Sequence, residues 1–159
     1  MLEQRMNYGR IAPGAVRTLR AMQEYLDTTD LEHSLLELVK VRASQINGCA
    51  YCVDMHTKDA RALGETEQRL YALSVWRETP FYSERERAAL TWTETLTRIS
   101  ENDVPDELYQ AVRAHFSEKE LVDLTLAIIL INGWNRIAIS FRAVPGTYQP
   151  APKAVPAQS

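Results

Sequence analysis

Apolar residues recur at every third or fourth position along most of the chain, and this spacing constrains the fold more than any other feature. Residues 16–26 and 31–46 contain two such series. An apolar residue at these intervals lines one face of an α-helix. No stretch of four to eight residues alternates apolar with polar side chains as a half-buried strand does. The spacing therefore predicts an all-α fold.

Glycines, prolines and capping residues divide the chain between these periodic stretches. Two S-x-x-E sequences, Ser83 with Glu86 and Ser117 with Glu120, have the pattern of a capping box. Gly64 follows a periodic stretch and suits a helix C-cap. The predicted helix starts are Pro13, Asp30, Cys49, Thr66, Ser83, Pro105 and Ser117.

The last predicted helix is the longest, at about residues 118–142. Its segment 124–131 is apolar apart from Thr125, which predicts burial on all sides, in the domain centre or against another subunit. Arg136, further along the same helix, is expected to pair with a carboxylate such as Glu37 or with one across a subunit interface.

Length and charge restrict the class of protein. The 159 residues suit one domain, because domains usually hold roughly 100–200 residues. We predict a single domain over residues 1–145 and a poorly ordered Pro/Ala-rich tail over residues 146–159. The net charge of −3, with no basic block, argues against a nucleic-acid partner.

Neither the N-terminal segment nor the longest apolar segment predicts a membrane protein. The N-terminus lacks the apolar run of a signal peptide. Residues 121–141 contain Asp123 and Arg136, whereas a spanning helix has few or no charges. We therefore expect a cytoplasmic protein with no membrane partner.

The two cysteines of the chain, Cys49 and Cys52, lie three residues apart at a predicted helix start that follows Asn47-Gly48. Two cysteines are too few for a secreted disulfide framework. The unpaired N–H groups and the macrodipole of a helix start favour thiolate over thiol. The C-x-x-C spacing also lets the two sulfurs bond reversibly. The pair is therefore a candidate redox site.

His56 follows Cys52 by one helical turn and shares its face. An imidazole in that place can accept the thiol proton and make Cys52 the nucleophile. If the flanking helices form an antiparallel hairpin, Glu37 lies level with His56 and can contact it directly or through a water. Its carboxylate would then orient the imidazole and hold its proton. The helix-start effect, in contrast, favours Cys49 as the more acidic thiol.

Two other interpretations fit the same residues. Cys49, Cys52 and His56 could ligate zinc, but a closed structural site has four protein ligands. The other histidines, His33 and His115, have no cysteine neighbours. Alternatively, the cysteines are inert or sense oxidants without turnover, in an oligomeric helical scaffold.

The cysteine segment resembles the AhpD-like alkylhydroperoxidase branch of the carboxymuconolactone decarboxylase family. The likeness is most specific in Glu37 and in residues 44–56, which read SQINGCAYCVDMH, and it extends over roughly residues 6–145. It implies an all-α fold with a central helical hairpin that carries the C-x-x-C at a helix N-terminus. It also implies a thiol peroxidase that assembles as a homo-oligomer, a trimer or a hexamer.

The resemblance assigns roles to individual residues. Cys52 would attack a hydroperoxide, Cys49 would resolve the sulfenic acid, and Glu37 and His56 would relay protons. An external dithiol or lipoyl-type reductant would restore the thiols. Tyr51 departs from the pattern, because AhpD has histidine at that place and a phenol with a pKa near 10 is a weak proton shuttle. The chain has no haem, flavin or nicotinamide motif, so we expect no cofactor and no metal.

Overall fold

The computed structural model describes residues 3–151, and these residues form helices and connecting turns with no strand among them. The all-α prediction is confirmed. The helices are α1 (Tyr8–Ile11), α2 (Pro13–Leu26), α3 (His33–Asn47), α4 (Ala50–Ala62), α5 (Glu67–Ala72), a 3-10 helix (Leu73–Glu78), α6 (Glu84–Thr97), α7 (Asp106–Arg113) and α8 (Glu118–Ser140).

Local capping determines where several helices begin. Ser83 and Ser117 both form the reciprocal capping box with the glutamate three residues later, and the Thr66 side chain caps α5. The prediction that Asp30 caps a helix is wrong, because α3 begins after Glu32, which makes no side-chain cap bond. Leu31 is buried at 2% exposure, so the preceding turn is anchored in the core and the helix starts later.

Helix α3 lies at the centre of the fold, in contact with α4, α6 and α8. Leu36 and Val39 on one side join the core cluster that includes Leu124 of α8. Leu38 and Val41 on another side join a second cluster with residues of the 3-10 helix and α6. A helix packed on several sides has little solvent-facing surface, and this is why charged side chains of α3 come to lie in the interior.

Helix α8 is buried on one side only. Leu124 and Ile128 are at most 1% exposed, whereas Val122 and Ile129 are 67% and 55% exposed. Ile129 lies on the outer face, so residues 124–131 are not buried on all sides in the domain centre, and burial of this face against another subunit stays a prediction. Among the described residues, α8 is the one helix long and apolar enough to cross a membrane, and 44% of the apolar window is buried inside the protein.

The last described residues return to the body of the fold. Residues 146–151 are described, and Tyr148 among them is hydrogen-bonded to Asp59 of α4. Residues 152–159, which make up most of the predicted tail, lie outside the described residues. The domain boundary at residue 145 and the poor order of the tail remain predictions.

Candidate active site

A two-residue turn, Gly48-Cys49, joins α3 to α4 and begins the site. Gly48 caps α3 in the left-handed conformation, with φ 70° and ψ 31°, which glycine adopts without a Cβ penalty. Cys49 comes next and is already the N-cap of α4. A turn this short sends the two helices back along each other, so the hairpin carries the C-x-x-C at the N-terminus of α4.

Amide side chains fasten this turn to α8. The Asn47 side-chain N–H₂ donates to Asn132 Oδ1 at 2.9 Å and to Asn135 Oδ1 at 2.8 Å. Asn135 in turn donates to Ser44 Oγ at 3.0 Å. Arg136 does not pair with Glu37, because its guanidinium donates to the backbone and side-chain oxygens of Asn132. Its pairing with a carboxylate across a subunit interface stays a prediction. The amides Asn132 and Asn135, which follow the apolar run of α8, were a sequence signal for this network.

Cys49 and Cys52 form a disulfide, with their Cα atoms 5.3 Å apart. The two residues are 1% and 2% exposed, and the Cys49 Sγ accepts the backbone N–H of Cys52 at 3.4 Å. The sulfurs therefore lie at the positive end of α4, where a thiolate is favoured once the bond is reduced. In the disulfide form neither sulfur is the thiolate that zinc binding requires.

Glu37 joins His56 to Lys40. His56 Nδ1 lies 2.8 Å from Glu37 Oε2, and Lys40 Nζ donates to Glu37 Oε1 at 2.7 Å. All three residues are buried. Glu37 therefore contacts His56 directly, at the level that an antiparallel hairpin predicts. Lys40, and not Arg136, is the cation beside Glu37, and its spacing of three residues on the same helix was an available signal.

The charge state of Glu37 determines which nitrogen of His56 carries the proton. Burial raises the pKa of Glu37, but the hydrogen bond from His56 and the charge of Lys40 outweigh it and hold the pKa below its usual value. An ionised carboxylate can only accept hydrogen bonds, so His56 Nδ1 is the donor. Nε2 is then the nitrogen left to accept a proton from another group.

A cavity of about 580 Å³ opens beside Cys52 and His56. It has the size of a site for a small organic molecule. Trp134 packs against the core and also lines this cavity. The other aromatic lining residues are Tyr8, Tyr51 and Tyr148, and the basic ones are Arg20 and Lys40.

One trio of side chains with metal-ligating atoms occurs in residues 3–151. Atoms of Glu37, His56 and Asp59 lie within 4.8 Å of one another. Glu37 in this trio is hydrogen-bonded to His56 and paired with Lys40. Both carboxylate oxygens of Glu37 therefore already have a partner.

The family model described as "Carboxymuconolactone decarboxylase family" matches residues 13–95, which include both cysteines, Glu37 and His56. The chain is an AhpD-like member of this family. Its sequence is 49% identical over 139 residues to the uncharacterized protein YdfG of Bacillus subtilis, covering 87% of this chain and 95% of YdfG.

Two solved structures support the same assignment. A protein of unknown function from Agrobacterium tumefaciens, described as a candidate antioxidant defence protein AhpD, has a TM-score of 0.88 at 46% identity, over 92% of this chain and 100% of that chain. An uncharacterized peroxidase-related protein from Silicibacter sp. TM1040 has a TM-score of 0.74 at 25% identity, over 82% of this chain and 70% of that chain. The resemblance drawn from the sequence is confirmed, and at family level the function is peroxidase-related.

Proposed function

We propose that this protein is a thiol-dependent alkyl hydroperoxidase that cycles Cys49 and Cys52 between dithiol and disulfide. The observation that carries the proposal is the position of the bonded cysteine pair at a helix N-terminus. Cys52 lines a cavity that the hydrogen-bonded Glu37–His56 pair also lines. The proposed roles are nucleophile for Cys52, resolving thiol for Cys49, and proton relay for His56 and Glu37.

The first step is attack on the peroxide. His56 Nε2 takes the proton of the Cys52 thiol, and the thiolate attacks one oxygen of the hydroperoxide. The S–O bond forms as the O–O bond breaks, the sulfur is oxidised to a sulfenic acid, and the alkoxide leaves. The His56 imidazolium returns its proton to this alkoxide, which departs as the alcohol. Glu37 stabilises the imidazolium while it exists.

The second step closes the disulfide. The Cys49 thiolate attacks the sulfur of the Cys52 sulfenic acid, so that the S–S bond forms and the S–O bond breaks. The oxygen leaves as water after it receives the proton that the Cys49 thiol gave up. An external dithiol then reduces the disulfide through a mixed disulfide, supplying two electrons and two protons. A lipoyl-type dithiol is the proposed donor.

Replacement of the proposed nucleophile tests this function. The variant Cys52→Ser is expected to lose consumption of cumene hydroperoxide with dihydrolipoamide as the donor, because no sulfur remains to attack the peroxide. His33→Gln, an exposed residue at the start of α3, is the control and keeps parent turnover. Unchanged turnover in Cys52→Ser would remove Cys52 from the role. Disulfide formation in the parent without repeated turnover would favour the redox-sensing alternative.

We also propose that the exposed face of α8 is covered by a second copy of this chain. Trp92, Tyr109, Leu126 and Ile129 line an apolar groove there, and the family resemblance implies a trimer or a hexamer. Ile129→Glu is expected to lower the molar mass measured by light scattering after size exclusion. A parent protein that already elutes with the mass of one chain would contradict this part of the proposal.

A further inference from the structure

The chain after α8 crosses back over α4, and we call residues 145–151 the C-terminal strap. The Gly146 N–H donates to Asp54 Oδ2 at 3.0 Å, and Lys58 Nζ donates to the Tyr148 carbonyl oxygen at 3.1 Å. Gly146 has a φ of 107°, a conformation that favours glycine. These contacts hold the strap on the helix that carries Cys52.

The Tyr148 side chain of the strap reaches the cavity and binds a second carboxylate of the site. Its hydroxyl donates to Asp59 Oδ1 at 2.7 Å, and its ring lines the cavity. Burial and this hydrogen bond to Asp59 raise the pKa of the Tyr148 phenol. The phenol therefore stays protonated, and remains a donor, throughout the neutral range.

The second oxygen of Asp59 faces the histidine. Asp59 Oδ2 lies 3.9 Å from His56 Nδ1, and Glu37 Oε2 approaches the same nitrogen at 2.8 Å. The imidazole is thus flanked by two carboxylates, one from α3 and one from its own helix. The Asp59 side chain is 26% exposed, and its other oxygen accepts the hydrogen bond from Tyr148.

We propose that Tyr148 is a positioning residue that holds Asp59 beside His56, so that two carboxylates stabilise the imidazolium formed when His56 takes the Cys52 proton. In this step the S–H bond breaks and the Nε2–H bond forms, which creates a thiolate–imidazolium pair from two neutral groups. A second negative charge beside the ring shifts that equilibrium towards the pair. The inference rests on the proposed function of Cys52 and adds a residue that lies outside the cysteine motif.

Other charged and titratable groups line the same cavity as His56 and are left unchanged in the test. Besides Glu37, they are Tyr8 from α1, Arg20 from α2, Asp27 at the C-cap of α2, Lys40 from α3 and Tyr51 from α4. Tyr148→Phe is the suitable change, because it removes one hydroxyl and keeps the ring in the cavity wall. The backbone contact of the strap to Lys58 does not use the phenol.

The experiment is a thiol titration of the reduced protein without peroxide or donor. The rate at which iodoacetamide alkylates Cys52 is measured against pH. The Cys49→Ser background leaves Cys52 as the one thiol that can react. Tyr148→Phe is expected to raise the apparent pKa of the Cys52 thiol and to lower the alkylation rate at neutral pH by about threefold to tenfold, since one pKa unit is about tenfold in thiolate. Asp59→Asn is expected to shift the profile in the same direction, and the double variant no further than Asp59→Asn alone.

Tyr71→Phe is the matched control. The Tyr71 hydroxyl also donates to a carboxylate, Glu67 Oε2 at 3.2 Å, but on the exposed surface of α5. This variant is expected to keep the parent profile. A Tyr148→Phe profile equal to the parent, or shifted to lower pH, would overturn the proposal. The titration is independent of turnover, so failure of the peroxidase assay with a shifted thiol profile would refute the proposed function and leave the positioning role standing.

Discussion

Two buried glutamates on neighbouring helices, Glu37 of α3 and Glu94 of α6, differ in the side chains that hydrogen-bond to them. Both residues are 7% exposed. Glu94 accepts hydrogen bonds from Arg42 at 2.7 Å, from the Trp76 indole at 2.9 Å and from Arg77. These donors are guanidinium and indole N–H groups, which donate hydrogen bonds and do not accept them. Glu94 therefore ties α6 to α3 and to the 3-10 helix through partners that act as donors only.

Glu37 differs in its partners and not in its burial. Burial raises the pKa of both carboxyls, and in both cases hydrogen bonds from neighbouring side chains hold it below the usual value. One partner of Glu37 is the His56 imidazole, whose second ring nitrogen can accept a proton from another group, and a cavity opens beside that histidine. A buried carboxylate with a lowered pKa thus indicates chemistry only where a proton-exchanging group joins it to open space and a reactive atom.

The largest expected effect is on activity, in Glu37→Gln. This variant is expected to lower kcat/KM for cumene hydroperoxide by about 10²–10³, because a positioned acid–base group contributes about 10²–10⁴. The neutral amide cannot stabilise the imidazolium, although it fills the same space. Steady-state turnover with dihydrolipoamide measures the loss.

Glu94→Gln is the matched control for that measurement, since it makes the same chemical change in a carboxylate of equal burial. Its kcat/KM is expected to stay within about twofold of the parent, because this site is not part of the proposed proton relay. Equal losses in the two variants would break the distinction between the two carboxylates.

The next largest effect is on stability, in Glu94→Ala. We expect the free energy of unfolding to fall by about 2–3 kcal/mol, because Arg42 and the Trp76 indole lose their acceptor inside the protein. Arg77 contributes less to the loss, since its side chain is 54% exposed and can be hydrated. Urea unfolding followed by circular dichroism measures the change. A loss below about 0.5 kcal/mol would show that Glu94 does not hold these elements together.

The smallest expected effect is on how the free energy of unfolding depends on pH in acid. Both carboxyls have folded pKa values below the usual 4.5, so each contributes stability that is present above the unfolded pKa and lost as pH falls through the folded one. The parent is therefore expected to become less stable as pH drops below about 4.5. Glu94→Gln removes one of these groups, and its unfolding free energy is expected to fall less steeply in urea titrations at successive pH values. A slope identical to that of the parent would count against an ionised Glu94.

Local patterns in the sequence predicted the hairpin and its contents well, for a physical reason. Helical periodicity interrupted by Asn47-Gly48 forces two helices side by side, and counting residues from the turn brings Glu37 level with His56. The partners of Glu94 come from α3 and the 3-10 helix, and such long-range contacts leave no local pattern. The exposed Ile129 was missed because a run of apolar residues does not show which side of the helix lacks a neighbour. The strap was missed because a Pro/Ala-rich segment has no periodicity to place Tyr148.

The catalytic roles of the two sulfurs can be tested directly by intact-mass analysis of the pre-reduced protein. The protein is treated with one equivalent of cumene hydroperoxide, quenched in acid and alkylated. We predict the loss of two hydrogens and of both alkylatable thiols, with peptides linked through Cys49 and Cys52, while Cys49→Ser gains one oxygen atom on Cys52. Two freely alkylated thiols in the treated parent, or an oxygen on Cys49 in the Cys52→Ser variant formed as fast as the parent disulfide, would contradict the account.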